Sequence, residues 1–200
     1  MSNFLDYGNW FDEKYRLKIG EGVRYFSSKI ALNLLLQRGG VNIVETGTTR
    51  ALDDFGGAGM STIFFGDFAK TYSKHLWTVD ILPEAIELCM GVTKEYASNI
   101  SYEIGDSLVF LKTFPEKIDL LYLDSMDCPT DFADMPTLLK SQEHQLHEVE
   151  TAWDKLTDNS IILLDDCGFE NGGKGKFARD FIRGKGWTEL LCDYQSLWVK

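Results

Sequence analysis

"VNIVETGTTR" (residues 41–50) is a short apolar run that ends in a carboxylate, Glu45, with Gly47 close behind. An acid at the mouth of a buried strand needs a reason, because an unpaired charge there loses its hydration. The pattern recurs along the chain. Runs rich in β-formers at 41–45, 76–80, 100–106, 118–124 and 160–166 close on Glu45, Asp80, Asp106, Asp124 and Asp165, with Asp166 next to the last. Two further runs lie at 188–194 and 196–200.

Stretches with helical spacing separate the first five runs: 60–72, 83–97, 107–113 and a long one over 137–156; another covers 175–184. In the long one Leu139, Leu146, Val149, Trp153 and Leu156 recur at helical steps and predict its buried stripe. Strand and helix in alternation predict a parallel sheet covered on both faces. The last two runs are separated by Gln195 alone, too little for a crossover helix, so they must form an antiparallel hairpin. The fold class is therefore α/β: a Rossmann-like three-layer sandwich with a mostly parallel seven-stranded sheet and a C-terminal antiparallel β-hairpin. Its 200 residues suit one domain, with 1–40 as an aromatic-rich N-terminal cap ahead of a core at 41–200.

Charge and composition narrow the partners. A net charge of −11, from 31 acids against 20 bases, argues against nucleic acid, whose phosphates draw on clustered Lys and Arg. No apolar run approaches the roughly 20 residues that span a bilayer, and "MSNFLDYGNW" lacks the basic-then-apolar signature of a signal peptide. Cys89, Cys128, Cys167 and Cys192 form no CxxC pair and read as reduced thiols of a cytoplasmic protein. The expected partner is a small-molecule substrate, with no nucleic acid and no membrane; oligomeric state stays open.

In an open parallel sheet the carboxyl ends of the strands line the ligand crevice. Acids gathered on one rim repel one another unless a counter-charge or a set of hydroxyl and amine donors faces them. Helix N-capping explains any single one, Asp106 before "SLVFL" above all, but five poorly. A dinucleotide would want G-x-G-x-x-G directly after the first strand. Here Gly47 is followed by a polar insertion before Gly56, Gly57 and Gly59, and Glu45, Asp53 and Asp54 would repel a pyrophosphate. "GGKGK" (172–176) lacks the spacing of a P-loop. A nucleoside without phosphates that carries an ammonium and a sulfonium fits: S-adenosylmethionine. A nicotinamide-dependent oxidoreductase on a Rossmann sheet is the competing class.

The ordered series "VETG…GMST", "VD", "GDS", "LDS" and "LLDD", closed by a hairpin, resembles the class I S-adenosylmethionine-dependent methyltransferases over residues 41–200. Within them it is similar to the compact metal-dependent O-methyltransferases of the catechol and macrocin/novobiocin sugar types. The resemblance implies that Glu45 and Gly47 meet the methionine part of the cofactor, and that Ser61, after Gly59, holds its carboxylate. It places Asp80 on both ribose hydroxyls, Asp106 and Ser107 near the adenine, and Asp124 beside the cofactor. It also implies that Asp124, Asp165 and Asp166 hold Mg2+, a hard cation that grips and acidifies a substrate hydroxyl. The other reading makes Asp124 a cofactor or fold residue and the Asp165–Asp166 pair a polar turn. Asp at position 166 matches the sugar-modifying members.

The implied activity is O-methylation of a small hydroxylated metabolite or sugar, Mg2+-assisted, or S-adenosylmethionine binding without metal-dependent turnover. Candidates for the catalytic acids and bases are Asp124, Asp127 and His144. Asp127 stands where the catechol type has a lysine. His144 and His147 lie off the predicted apolar stripe and either face solvent or hang into the cleft. Lys174 and Lys176 either meet an anionic substrate group or belong to a solvated glycine loop, and Cys167 reads as a small buried thiol.

Overall fold

A computed structural model describes residues 6–20, 22–52, 54–55, 57, 60–129, 131 and 133–200, apart from the side chains of residues 6–9 and 23. Seven strands form one sheet: β1 (Asn42–Thr46), β2 (His75–Asp80), β3 (Ile100–Ile104), β4 (Leu120–Leu123), β5 (Ile161–Leu164), β6 (Thr188–Cys192) and β7 (Ser196–Val199). Their order is β3-β2-β1-β4-β5-β7-β6. The first five are mutually parallel, and β7 runs antiparallel to both β5 and β6. The predicted sheet and hairpin are both present.

Among the described residues seven α-helices cover the sheet: α1 (Asp6–Ile19), α2 (Val23–Gln37), α3 (Ser61–Thr71), α4 (Pro83–Val92), α5 (Ser107–Thr113), α6 (Met135–Ala152) and α7 (Lys176–Gly184). The segment expected to be helical over 83–97 breaks at Val92, and a 3-10 turn, Lys94–Asn99, completes it. Successive strand residues point to opposite faces, so each strand feeds two cores. Leu120 and Tyr122 of β4 join Ile43, Phe65 and Leu163 on one side. Leu121 and Leu123 join Val44, Val149, Ile162 and Trp198 on the other. The aromatic N-terminal segment belongs to the first core: Phe11 and Tyr15 are buried against Tyr25 and Phe64, and Lys14 and Tyr15 both reach Asp67 of α3. All four cysteines are free thiols, Cys167 buried as expected. Among the described residues no helix is long and apolar enough to cross a membrane.

Where the structure departs from the sequence reading is α6. Leu139, read as part of its apolar stripe, is 40% exposed, while the buried face carries Ser141, Gln142, Gln145 and Glu148 beside Leu138 and Val149. These polar groups have work at the strand ends. Gln145 Nε2 donates to the Leu123 and Asp165 carbonyls, Gln142 Nε2 donates to the Gly173 carbonyl, and Glu148 accepts from the Ser125 hydroxyl. A helix face that holds loops through their backbone cannot be apolar.

Candidate functional site

The parallel strands all deliver their carboxyl ends to one edge, and the crossing point lies between β1 and β4. There the chain leaves β1 through Gly47, at φ +80°, against the backbone of Asp124. Any Cβ at this position would strike the Asp124 carbonyl oxygen, so only glycine allows the two loops to touch. Two cavities flank this contact. The larger, about 370 Å3, is bounded by Gly47, Asp80, Gly105, Asp106, Ser107 and His144. The smaller lies under α2 and the start of α3, where Arg24, Arg50, Ser61, Tyr122 and Asp124 meet.

Asp80 ends β2 and turns its carboxylate into the larger cavity, fixed by the Thr48 N–H at 3.1 Å and the Leu82 N–H at 2.9 Å. Asp106 caps α5 by accepting from the Leu108 and Val109 N–H groups, and it borders the same cavity. The capping and ligand-facing roles are therefore compatible. Ser107 is buried, and its hydroxyl lies 3.2 Å from His144 Nε2. The position expected for Gly59 lies outside the described residues.

Glu45 stands elsewhere than at the rim. It is 0% exposed and borders neither cavity. Register places it between Thr78 of β2 and Tyr122 of β4. Its Oε2 accepts from the hydroxyls of Thr62 (2.7 Å) and Thr78 (2.8 Å), and its Oε1 has no hydrogen-bond partner among the described residues. Burial pushes its pKa up to about 7, against the pull of the Ser61, Thr62 and Thr78 hydroxyls and helped by the charge of Asp80. Its effect on a ligand at Gly47 is that of a charge behind the wall rather than a contact.

The acids of β4 and β5 do come together, but around cations of the chain itself. Lys174 is 1% exposed and puts its ammonium 2.5 Å from Asp124 Oδ1 and 3.1 Å from Asp166 Oδ2. Arg24, from α2, donates to Asp165 Oδ2 at 2.8 Å and to the Tyr194 hydroxyl at 2.9 Å, with its guanidinium over the Tyr194 ring. The Tyr122 hydroxyl donates to the same Asp165 oxygen at 3.0 Å, and Tyr194 donates to Asp166 at 2.5 Å. Burial works against the Asp165 charge, but Arg24 and Lys174 outweigh it and hold the pKa below the ordinary value. Three carboxylates against two cations leave one negative charge in excess. Asp124 is where a proton most readily relieves it: burial and the charges of Asp165 and Asp166 push its carboxyl above the ordinary aspartate range, despite Lys174.

This corrects the expected Mg2+ set. Asp124, Asp165 and Asp166 do not fit a divalent ion as they stand: Asp124 Oδ1 and Asp166 Oδ2 hold the Lys174 ammonium and Asp165 Oδ2 the Arg24 guanidinium, and a dication would meet both cations, although the buried Asp165 Oδ1 has no hydrogen-bond partner among the described residues. No three His, Cys, Asp or Glu side chains among the described residues are arranged to hold a metal.

The other proposed acid–base groups also fall into place. Asp127 is engaged: Arg50 clasps both its oxygens, at 2.9 and 2.6 Å, and this hydrogen-bonded ion pair holds its pKa below the ordinary value. A proton acceptor with a lowered pKa is a poor base. His144 turns into the larger cavity rather than to solvent, with Nε2 3.0 Å from the Ser125 hydroxyl and 3.6 Å from Glu148. His147 is exposed. The Glu148 carboxylate, 3.6 Å away, raises the His144 pKa against burial, and Asp106 adds to the rise. The sequence singles out Lys174 without settling which way it turns, and it misses Arg24. The only signal for Lys174 is its place between glycines in "GGKGK", and Arg24 has none.

Residues 55–167 match a family model described as a methyltransferase domain. No curated protein matches the sequence. In fold the chain is similar to the S-adenosylhomocysteine-bound methyltransferase PaMTH1 of Podospora anserina, with TM-score 0.59 and 15% identity over 98% of this chain and 86% of that one. It is also similar to the O-methyltransferase NovP, with TM-score 0.57 and 14% identity over 86% and 76%. CalS11, a TDP-rhamnose 3'-O-methyltransferase of calicheamicin biosynthesis, gives TM-score 0.59 and 12% identity over 90% and 80%.

Proposed function

The chain belongs to the methyltransferase-domain family and is an S-adenosylmethionine-dependent methyltransferase, and from that premise we propose that it methylates a hydroxyl of a small molecule, a sugar or a comparable metabolite. The observation that carries this reading is the pair of cavities meeting at the Gly47–Asp124 contact. The larger takes the nucleoside, with Asp80 toward the ribose hydroxyls and Asp106 and Ser107 toward the adenine. The sulfonium then lies near Gly47, and the acceptor approaches over Asp124, whose side chain is 24% exposed.

An acceptor oxygen placed in line with the methyl carbon and sulfur attacks the carbon. The carbon–sulfur pair stays on sulfur, leaving a neutral thioether, and the hydroxyl proton passes to Asp124. In its ionised form Asp124, its pKa raised, is a stronger proton acceptor than an ordinary aspartate. Lys174 keeps its carboxylate oriented. Positioning supplies the rest of the acceleration. A sugar-type acceptor draws support from NovP and CalS11, whose fold this chain shares and which are O-methyltransferases.

The test is label transfer from methyl-labelled S-adenosylmethionine to a panel of sugars, phenols and amines. Hydroxylated acceptors should be labelled, and Asp124→Asn should cut turnover by about 10²–10⁴-fold while S-adenosylhomocysteine binding is retained. Labelling of amines alone would overturn the choice of oxygen. Loss of S-adenosylhomocysteine binding in Asp124→Asn, with Asp80→Asn harmless, would overturn the placement of the cofactor.

A further inference from the structure

The loop after β5 is bent to bring a cation inward. Asp166 and Gly173 both adopt positive φ, at 54° and 55°, and the Lys174 N–H donates back to the Asp166 carbonyl at 3.0 Å. A Cβ on Gly173 would strike that same carbonyl, so glycine is what lets the loop close. Gln142 of α6 clamps the closed loop by donating to the Gly173 carbonyl at 2.8 Å. The outcome is a lysine with 1% exposure whose ammonium touches acids from the ends of both β4 and β5. Burying an ammonium is costly unless ion pairs and hydrogen bonds offset it. A flexible four-carbon side chain on a surface loop would otherwise stay in water.

We propose that Lys174 is a built-in replacement for a divalent ion: its ammonium fills the place among Asp124, Asp165 and Asp166 where a metal would sit, and the transferase works without one. Arg24 completes the arrangement by holding Asp165. Lys174 is in this sense a positioning residue, acting through Asp124. It supplies a fixed positive charge beside the acceptor site and fixes the orientation of the Asp124 carboxylate. Because the side chain is attached to the fold, the charge does not depend on the supply of metal in solution. The inference rests on the proposed function for the acceptor's position, but its geometric core is independent of which acceptor is used.

The decisive experiment is titration of the full chain with Mn2+, followed by electron paramagnetic resonance, in the wild type, Asp124→Asn, Lys174→Met and the double variant Lys174→Met/Asp124→Asn. The wild type should show no Mn2+ binding that Asp124→Asn removes. Lys174→Met, which frees Asp124 and Asp166 and leaves Arg24 on Asp165, should gain one site about a hundredfold tighter, within the range over which ligand charge tunes such sites, and the double variant should lose it. Two results overturn the proposal: Asp124-dependent Mn2+ binding by the wild type, or a folded Lys174→Met chain that gains no site. If Lys174→Met does not fold, the wild-type comparison with Asp124→Asn still decides. S-adenosylhomocysteine binding to the wild type, measured in the same samples, separates the outcomes. Its absence breaks the proposed function, whereas the Mn2+ result bears on Lys174 alone.

Discussion

Two groups of buried acids sit about one strand apart toward the carboxyl end of this sheet, Glu45 behind the rim and Asp124, Asp165 and Asp166 at it, and they meet opposite surroundings. Glu45 is met only by hydroxyls and keeps one oxygen without a partner among the described residues. Asp124, Asp165 and Asp166 are met by Lys174 and Arg24. Dipoles stabilise a carboxylate less than cations do, so Glu45 is driven toward its neutral form, whereas in the second group Arg24 and Lys174 hold Asp165 ionised and only Asp124, the acid in excess over the cations, is pushed up. The difference matches what each would face. Near Gly47 the proposed ligand brings its own positive charge, and an acid left short of counter-charge gains by its arrival. Near Asp124 the acceptor is a neutral hydroxyl, so the protein supplies the positive charge.

The largest expected effect comes from removing the cation of the second group. Lys174→Met leaves three carboxylates facing one guanidinium. Breaking a buried ion pair on one side should cost about 3–5 kcal/mol of stability. The loss should shrink as pH falls and the carboxylates take up protons. Urea midpoints at pH 5 and pH 8 check it. A variant as stable as the wild type at pH 8 would mean that Lys174 adds nothing the acids need.

The first group predicts the opposite sign. The folded-state pKa of Glu45, about 7, lies above its ordinary 4.5. The folded state therefore binds this proton more tightly than the unfolded state does. The resulting stability is fully present below pH 4.5 and is lost as pH rises through 7, a change on the order of 3 kcal/mol. Glu45→Gln keeps the acceptor for Thr62 and Thr78 but has no charge to bury. It should abolish that part of the pH dependence, stabilise the chain at pH 8, and weaken cofactor binding by removing the charge behind Gly47. Unfolding and S-adenosylmethionine titration at pH 5.5 and pH 8 test all three. If the variant loses stability at both pH values, the acid is serving a hydrogen-bond role that Gln cannot fill.

These two sites differ in how far the sequence reveals them. Glu45 announces itself, because an acid closing "VNIV" violates the expected burial of a strand end. The sheet is legible for a related reason: apolar runs of four or five residues separated by helical stretches leave few topologies. What the one-dimensional pattern does not carry is the direction in which a loop turns. "GGKGK" reads equally as a solvated loop, and only the positive φ of Asp166 and Gly173 turns Lys174 inward. The misreading of α6 has the same origin. Apolar periodicity finds the face that packs on side chains, but this helix also packs on backbone carbonyls, through Gln142 and Gln145. Arg24 reaches the site across 141 positions of sequence, and no local pattern encodes that distance.

A smaller effect belongs to His144, which lies between the two groups in chemistry as well as in size. The neighbouring Glu148 carboxylate raises its pKa, so it favours the folded state below its ordinary value, near 6.5, and that contribution is lost as pH rises through the folded value. Glu148→Gln should lower the pKa of the imidazole, followed by NMR, and flatten this part of the stability profile. An imidazole titration that does not move would remove Glu148 as the cause.

The smallest effect is expected at Asp127, and it tests whether burial is what separates the cases. Its pairing with Arg50 is geometrically as good as any ion pair in the cluster, yet Asp127 is 63% exposed and Arg50 31%. Water already solvates both groups, so forming the pair gains little beyond what solvent gives, and salt screens the remainder. Asp127→Asn should therefore change stability by less than about 1 kcal/mol, with the difference fading at high salt. It should also leave methyl transfer near the wild-type rate, since a carboxylate held by Arg50 is not the proton acceptor. A loss of turnover comparable to that of Asp124→Asn would return the base to Asp127. It would also show that the position of an acid over the cleft, rather than its burial among cations, decides which one takes the proton.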